Sequence, residues 1–280
     1  MSKYVVDQEL NPHTIIAHNY AEASDNKMHS DGTAAEYGYK GGLVPGVGIY
    51  GYMTVPVVAE LGEDWIAHGH MTGKFIKPVY HGEPVLVTAK VTALDPLRIS
   101  ANVTNQNGDL CAVGEASLPD DQPEVDLAEF PLVAVPEPDE KLHADVETLH
   151  SGLPLGSLKY TVDLENTQGE FADFLEEIRD PLALYKRDAP PLHPAVVVAQ
   201  ANQMLMQNVD LGPWIHTASN VRHHALPRHG EEVSLQGAVS HSYEKRGHGI
   251  VVLNLVALGD KGRLLQHLSH TAIVDPAKAN

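Results

Sequence analysis

The sequence contains almost no cysteine and few basic side chains, and each shortage excludes a class of function. Cys111 is the single cysteine of the 280 residues, so the chain can form no internal disulfide, and a zinc site built on several thiolates is excluded. Lys and Arg number 19 against 37 Asp and Glu, which leaves a net charge of −18 that repels nucleic-acid phosphates. We therefore expect no nucleic-acid partner.

The sequence also lacks an uninterrupted apolar segment of membrane-spanning length. Its longest apolar stretch, residues 43–61, contains Pro45 and Pro56 and includes Glu60 near its end. We interpret this stretch as a buried helix and expect no membrane association. The N-terminal segment has no apolar core of a signal peptide, and with the lone cysteine this predicts a cytoplasmic protein.

One pattern occurs twice along the chain, at a nearly constant separation. Residues 43–47, Leu-Val-Pro-Gly-Val, match residues 192–196, Leu-His-Pro-Ala-Val, and each copy has a proline where a helix can begin. The Trp-Ile pairs at 65–66 and 214–215 follow in the same order. Ordered matches of this kind indicate that the chain is a duplication.

Each copy predicts one apolar helix followed by a meander of strands. The helices are expected over 46–60 and 195–208, and Pro56 is expected to kink or break the first. The strands are expected over His13 to Ala23, 67–77, 84–93, 97–105 and 110–118 in the first copy, and over Ser157 to Leu164, 215–225, 232–242, 248–258 and 264–274 in the second.

A helix followed by an antiparallel meander that could wrap it is the hotdog arrangement. We therefore predict an α+β double hotdog, in which each of two antiparallel sheets wraps a central helix and the sheets join edge to edge. The predicted units are 1–118 and 142–280. The proline-rich, acidic segment 119–141 is interpreted as an extended linker that apolar side chains pin to a sheet: Leu127, Phe130 and Leu132.

The stretch with the most chemical information precedes the first apolar helix. It brings one imidazole, His29, and the carboxylates Asp25 and Asp31 together on a predicted loop beside Asn26. Water addition to an α,β-unsaturated thioester needs a base for the water and an acid for the α-carbon, and a His with an Asp can supply both. The enolate oxygen needs hydrogen-bond donors, which a helix N-terminus at Gly46 would supply.

This stretch resembles the motif of the MaoC-like, or hydratase 2, family of (R)-specific enoyl-CoA hydratases. That motif is Gly-Asp-x-Asn-Pro-aliphatic-His, followed by a His-Gly at the start of the central helix. Asn26 and His29 keep the Asn-x-x-His part, Asp25 lies beside Asn26, and Pro45-Gly46 stands where the His-Gly would be. The phrase Phe-Ile-Lys-Pro-Val-Tyr-His-Gly-Glu at 75–83 is similar to a strand of the family.

The resemblance implies a hydratase or dehydratase of enoyl or 3-hydroxyacyl thioesters. It implies catalytic roles for His29 and Gly46, with either Asp25 or Asp31 as the partner of His29, and an orienting role for Asn26. The second half has no equivalent motif, so one active site per chain is expected. Basic side chains that could meet the phosphates of a CoA substrate are Lys74, Lys77, Arg222 and Arg228.

The second half is rich in histidine, which suggests a metal site as an alternative. Several of these residues alternate along predicted strands and would face opposite sides of a sheet. No HExxH or cysteine-containing zinc spacing is present, so we expect no metal ion and no other cofactor. The histidines in question are His216, His223, His224, His229, His241, His248, His267 and His270.

Three functions are compatible with the sequence. The first is an enoyl-thioester hydratase or dehydratase acting on an acyl-CoA or acyl-carrier thioester. The second is a hotdog thioesterase, which usually needs a carboxylate on or beside the central helix, and the first helix has none before Glu60. The third is a non-catalytic acyl-thioester binding protein. A homodimer is possible for each of them.

Overall fold

The computed structural model describes residues 3–278. The first two residues of the predicted unit 1–118 and the last two of the unit 142–280 lie outside the described residues. The helices are α1 (Asp31–Glu36), α2 (Gly46–His68), α3 (Glu170–Ile178) and α4 (Val196–Asn208). The strands are β1 (His13–Ile16), β2 (His70–Phe75), β3 (Pro84–Leu94), β4 (Leu97–Asn105), β5 (Leu110–Leu118), β6 (Leu142–His143), β7 (Pro154–Thr161), β8 (Val209–Asp210), β9 (Ile215–His223), β10 (Glu232–Lys245), β11 (His248–Leu258) and β12 (Leu264–Asp275).

Ten of these strands form one continuous antiparallel sheet. Its order is β1-β3-β4-β5-β2-β9-β12-β11-β10-β7, so the second half repeats the strand order of the first, from the outer edge inward. This equivalence supports the predicted duplication. Residues 70–74 of β2 pair with residues 218–222 of β9 at the centre. The two predicted sheets are therefore halves of one sheet, joined edge to edge, and the pairing removes two exposed edges.

The sequence pattern predicted most strands to within a few residues, and the largest differences between predicted and observed bounds are at the strand ends. β4, β5 and β11 have the predicted bounds, whereas the strand expected over His13 to Ala23 ends at Ile16. The reason is that, within the predicted range, the strand pairing with β3 covers only residues 13–16, and the chain beyond it folds into the loop that carries the motif. Along β3, Val85, Val87, Ala89 and Val91 are buried while the residues between them are exposed, which is the alternation of a half-buried strand.

The first central helix continues through Pro56 as far as the non-helical Gly62 (φ 67°, ψ −155°), close to the predicted 46–60, and a short helical segment follows to His68. The helix therefore does not break at Pro56, which was one of the two expected effects of this proline. Residues 47–58 are buried, and packing on all sides holds the helix at the proline, whereas glycine adopts a positive φ at little cost. Among the described helices, none is both long and apolar enough to cross a membrane.

The two central helices pack on their own halves of the sheet and meet at its middle. α2 contacts β3, β4 and β5, and α4 contacts β7, β10 and β12. Both helices also contact β9. The start of α2 therefore lies close to residues of the second half, and this position determines which side chains share a site.

The linker 119–141 has no strand of its own and follows the surface of the second half. Phe130 is buried, and its ring makes an edge contact with His267 of β12 at a centroid distance of 5.8 Å. Val133 exchanges hydrogen bonds with Ser157 of β7. Leu132 is 60% exposed, so it does not pin the linker as predicted, because it points to solvent while Phe130 points to the sheet.

Candidate active site

The motif loop is organised by Asn26, which ties it to the second half. The Asn26 side-chain oxygen accepts the backbone N–H of Met28, which starts a short 3-10 helix over Lys27–His29. The same side chain accepts the N–H of Trp214 at 3.2 Å and donates to the Trp214 carbonyl at 3.0 Å. Asn26 is itself buried. Its amide thus fixes the position of the loop relative to the strand that follows Trp214.

The imidazole of His29 is held in one tautomer. Its Nδ1 lies 2.7 Å from the Leu43 carbonyl oxygen, which can only accept, so Nδ1 carries the proton. The Nε2 atom then has the lone pair, and the Asn26 amide approaches it at 3.3 Å. Burial lowers the pKa of His29 below its ordinary value, and the Leu43 carbonyl opposes the shift in part. His29 is therefore a neutral base with its lone pair on Nε2.

The N-terminus of α2 lies beside this imidazole and is uncapped by any side chain. Pro45 is the N-cap residue and has no side-chain capping bond, so the first N–H groups of the helix remain available to a ligand. Gly46 is packed closely from one side. A Cβ at this position would lie 2.6 Å from Nδ1 of His216 and 2.9 Å from a ring carbon of Phe75, so a larger residue does not fit here.

His29 and Gly46 line one cavity, of about 220 Å³, between the two halves. Most of the exposed area of its wall is apolar. No carboxylate belongs to the described residues that line it. The lining residues that carry polar side chains or the exposed helix start are Asn26, His29, Tyr39, Gly46, Lys77, Cys111, Asn202, Trp214, His216 and Thr217.

The structure does not bring the two predicted aspartates into this cavity. Asp31 begins α1, and its carboxylate accepts the N–H of Gly42 at 2.8 Å, so it braces the segment that leads to the central helix. Asp25 is exposed and lies in a separate surface pocket on the other side of Asn26. The prediction that at least one of them lines the pocket with His29 is therefore corrected: Asn26 is the buried residue that faces Trp214 while its neighbour Asp25 is exposed, and the Asp31 carboxylate is bound to Gly42.

The basic residues predicted to contact the substrate have different positions. Lys77 lies at the rim of the cavity and forms an ion pair with Asp109 at 2.5 Å. Lys74 is exposed and lines a surface depression over β2 and β9. Arg222 lies further along β9, where its guanidinium donates to Gln122 at 3.4 Å. Arg228 is exposed and does not line the cavity. Of the four, only Lys77 is placed to meet a ligand that enters this cavity.

The main residue that the sequence did not single out is His216. It is buried in β9 and lines the cavity from the second half. His216 was not predicted as a site residue, because the histidines of a strand were expected to alternate between the two faces of the sheet. The β9 strand has an irregular register at Thr217, since His216 and Ala218 oppose the neighbouring residues Ala272 and Thr271. Such bulges redirect side chains and are frequent beside active sites.

Before α4, the second half has a buried acid–imidazole pair. Asp180 and His193 are both buried, and the Asp180 carboxylate contacts Nε2 of His193 at 3.1 Å. The ring of Tyr185 lies 4.8 Å from the ring of His193. One active site per chain stays a prediction. Among the described residues, no cluster of three or more potential metal ligands is present.

Comparison with known proteins identifies the fold and leaves the activity open. No family model matches the sequence, and no curated protein matches it. A structure described as a MaoC domain dehydratase of Chloroflexus aurantiacus is similar over 98% of this chain and 96% of its own, with a TM-score of 0.64 and 12% identity. The structure of a conserved Mycobacterium tuberculosis protein, described as having a double hotdog fold, is similar over 96% of this chain and 96% of its own, with a TM-score of 0.61 and 13% identity.

This chain has a double hotdog fold. A structure described as an oleoyl thioesterase of Lactobacillus plantarum is also similar, over 98% of each chain, with a TM-score of 0.54 and 11% identity. The fold is therefore shared by proteins described as dehydratases and by proteins described as thioesterases. At such identities the double hotdog fold does not decide the reaction, which depends on the residues that line the site.

Proposed function

We propose that this double hotdog protein is a hydratase or dehydratase of 2-enoyl or 3-hydroxyacyl thioesters, with CoA thioesters as its substrates. One observation carries the proposal: the free N–H groups at the start of α2 and the neutral imidazole of His29 line the same cavity. Hydration requires a donor at the thioester oxygen and a base near the β-carbon within one small volume.

The proposed reaction uses these groups in order. The thioester oxygen accepts hydrogen bonds from the N-terminus of α2, where the helix dipole also favours negative charge. Nε2 of His29 removes a proton from water, the water oxygen bonds to C3, and the electron pair of the double bond moves to the thioester oxygen. The imidazolium then returns its proton to C2 as the enolate collapses. Water is added across C2 and C3 with no net change in protons.

The size and lining of the cavity favour a short acyl group. At about 220 Å³ it is smaller than ligand pockets of roughly 300–1,000 Å³. Its apolar wall would stabilise an acyl chain by about 0.8 kcal/mol for each buried CH₂. Lys77 at the rim is the proposed contact for a phosphate of the carrier.

The predicted cytoplasmic location and the predicted homodimer stay predictions.

The described residues that line the cavity include no carboxylate, and this favours a non-catalytic binding protein over a thioesterase. A hotdog thioesterase usually needs a carboxylate beside the central helix, and these residues supply none. A non-catalytic thioester-binding protein needs only the cavity and the helix N-terminus, and it is therefore the second candidate.

Incubation with crotonyl-CoA distinguishes the three functions. We expect loss of the enoyl absorbance without release of free thiol, because water adds to the double bond and the thioester remains. Free thiol would indicate a thioesterase. Saturable binding with neither change would support the non-catalytic alternative and contradict the proposal.

The close packing at Gly46 gives a further prediction. In Gly46→Ala the new methyl group would meet His216 Nδ1 at 2.6 Å and would intrude between the helix start and the cavity. We expect kcat/KM for enoyl-CoA to fall by about tenfold or more, and the free energy of unfolding to fall by about 1–3 kcal/mol.

Gly212→Ala is the matched control, since a Cβ at Gly212 would meet no atom within 4 Å. Its activity should equal that of the wild type. Wild-type kcat/KM in Gly46→Ala would show that the substrate does not approach this helix end.

A further inference from the structure

His216 lines the cavity and has a buried ring nitrogen without a hydrogen-bond partner. Its Nε2 lies 3.2 Å from the Ala218 carbonyl and 2.8 Å from the hydroxyl oxygen of Ser219. Because a carbonyl only accepts, Nε2 carries the ring proton. The Nδ1 atom is then an acceptor, and it is buried with no hydrogen-bond partner. This atom is also the one that lies next to Gly46.

The ring is kept neutral and fixed in place by a second histidine. His270 stacks on His216 at a centroid distance of 4.2 Å, and its Nδ1 lies 3.2 Å from the Ser219 hydroxyl oxygen. With the His216 N–H donating to Ser219, the Ser219 hydroxyl can donate to His270. Burial, with His270 close by, holds the pKa of His216 well below its ordinary value. His216 therefore retains its Nδ1 lone pair at neutral pH.

A second acceptor without a partner lies in the same cavity. The side-chain oxygen of Asn202, on α4, is buried and has no hydrogen-bond partner. The first half thus supplies N–H donors at Gly46, and the second half supplies acceptors at His216 and Asn202. Buried acceptors without partners cost free energy, which a ligand that brings donors would recover.

We propose that Nδ1 of His216 accepts the hydroxyl hydrogen of a 3-hydroxyacyl thioester, and the equivalent hydrogen of the attacking water in the reverse direction. This rests on the proposed function. A 3-hydroxyacyl thioester carries an accepting oxygen at C1 and a donating hydroxyl at C3, which matches a site with donors on one side and acceptors on the other. His216 then takes the place that the sequence assigned to Asp25 or Asp31.

In this arrangement each hydrogen of the water has its own acceptor. His29 removes one of them and later delivers it to C2, while His216 holds the other, which remains on the new hydroxyl group. The hydrogen bond at His216 directs an oxygen lone pair of the water toward C3. Ser219 and His270 are positioning residues, since they act on the ring of His216 and do not line the described cavity.

Two substitutions separate the role of Nδ1 from the packing of the ring. In His216→Asn a side-chain oxygen can occupy the position near Nδ1, whereas in His216→Gln the amide reaches toward Ala218 and Ser219 and leaves no acceptor near Nδ1. The dissociation constants of butyryl-CoA and of (R)-3-hydroxybutyryl-CoA are measured for both variants and for the wild type. His241→Gln, at an exposed histidine of β10, is the control.

We expect the wild type to bind the hydroxyacyl thioester about tenfold more tightly than the saturated one, the usual worth of one good hydrogen bond. His216→Gln should lose this preference and keep its affinity for butyryl-CoA, and His216→Asn should retain part of it. Should both variants fail to fold, Ser219→Ala, which frees the ring to turn, is expected to reduce the preference. An equal preference in His216→Gln, or none in the wild type, would overturn the proposal.

The binding ratio also distinguishes failure of this proposal from failure of the proposed function. A wild type that does not hydrate crotonyl-CoA but shows a preference for the hydroxyl group that depends on His216 would leave the binding site standing without the hydratase. A wild type that hydrates crotonyl-CoA while His216→Gln keeps the full preference and full kcat would leave the hydratase standing without the role of His216.

Discussion

Replacing His29 by alanine is expected to lower kcat for enoyl-thioester hydration by about 10²–10⁴, the usual contribution of a general acid–base group. The imidazole that lines the cavity is held by the Leu43 carbonyl in the tautomer with its lone pair on Nε2. Alanine removes the atom that takes the proton from water and returns it to C2. Steady-state kinetics with crotonyl-CoA measure the effect.

The fold should survive this substitution, because His29 lies at the end of a short 3-10 helix and outside the main core. Binding of butyryl-CoA, which cannot react, should change little and gives a measure of the intact cavity. His68→Ala is the matched control, since His68 lies at the exposed end of α2. Unchanged kcat in His29→Ala would remove His29 from the mechanism.

Acid is expected to destabilise this protein strongly, because several histidines are buried in the neutral form. Burial lowers the pKa of His223 and of His270 to about 3, from the ordinary value of 6.5. Between about pH 3 and pH 6.5, each of these histidines is protonated in the unfolded chain and neutral in the folded chain. The stability is therefore fully present above pH 6.5, and each such histidine removes about 1 kcal/mol per pH unit below it.

His223 offers the sharpest test of this prediction. Both of its ring nitrogens are buried without a hydrogen-bond partner, and its ring packs against Trp65 at 5.7 Å. His223→Leu should raise the free energy of unfolding at neutral pH by about 1–2 kcal/mol, since it removes two unsatisfied polar atoms. Its dependence on pH below 6.5 should also be weaker than that of the wild type.

Urea unfolding at several pH values measures both effects, with the exposed His241→Leu as the control. Curves for His223→Leu and the wild type that run parallel below pH 6.5 would show that His223 is not a source of the acid sensitivity. Lower stability of His223→Leu at neutral pH would show that its ring has a partner in solution.

Much of the fold follows from local patterns in the sequence. The alternation along β3 and the repeated proline before each central helix depend on side chains close in the chain, and both predict the observed elements. The break that was one expected effect of Pro56 is absent because propensity is a local quantity, while the buried surroundings of α2 decide whether a proline is tolerated.

The candidate site was less accessible to sequence reasoning, for a different physical reason. His29, Asn26 and Gly46 were found because one short motif and one helix start carry them. His216 comes from the other half, and it faces the cavity because of an irregularity in the pairing of β9 with β12. A strict alternation of faces along a strand cannot anticipate such a bulge. Asp25 was favoured because it lies nearest to the place of the motif aspartate, and its position in the chain does not reveal that its side chain is exposed.

The most direct test of the central claim is the fate of the water oxygen. The protein is incubated with crotonyl-CoA in heavy-oxygen water, and the products are analysed by mass spectrometry. We expect the label on C3 of an intact 3-hydroxyacyl thioester, and we expect His29→Ala to abolish its appearance. Label in the carboxylate of a released free acid, or no incorporation by a wild type that binds the thioester, would contradict it.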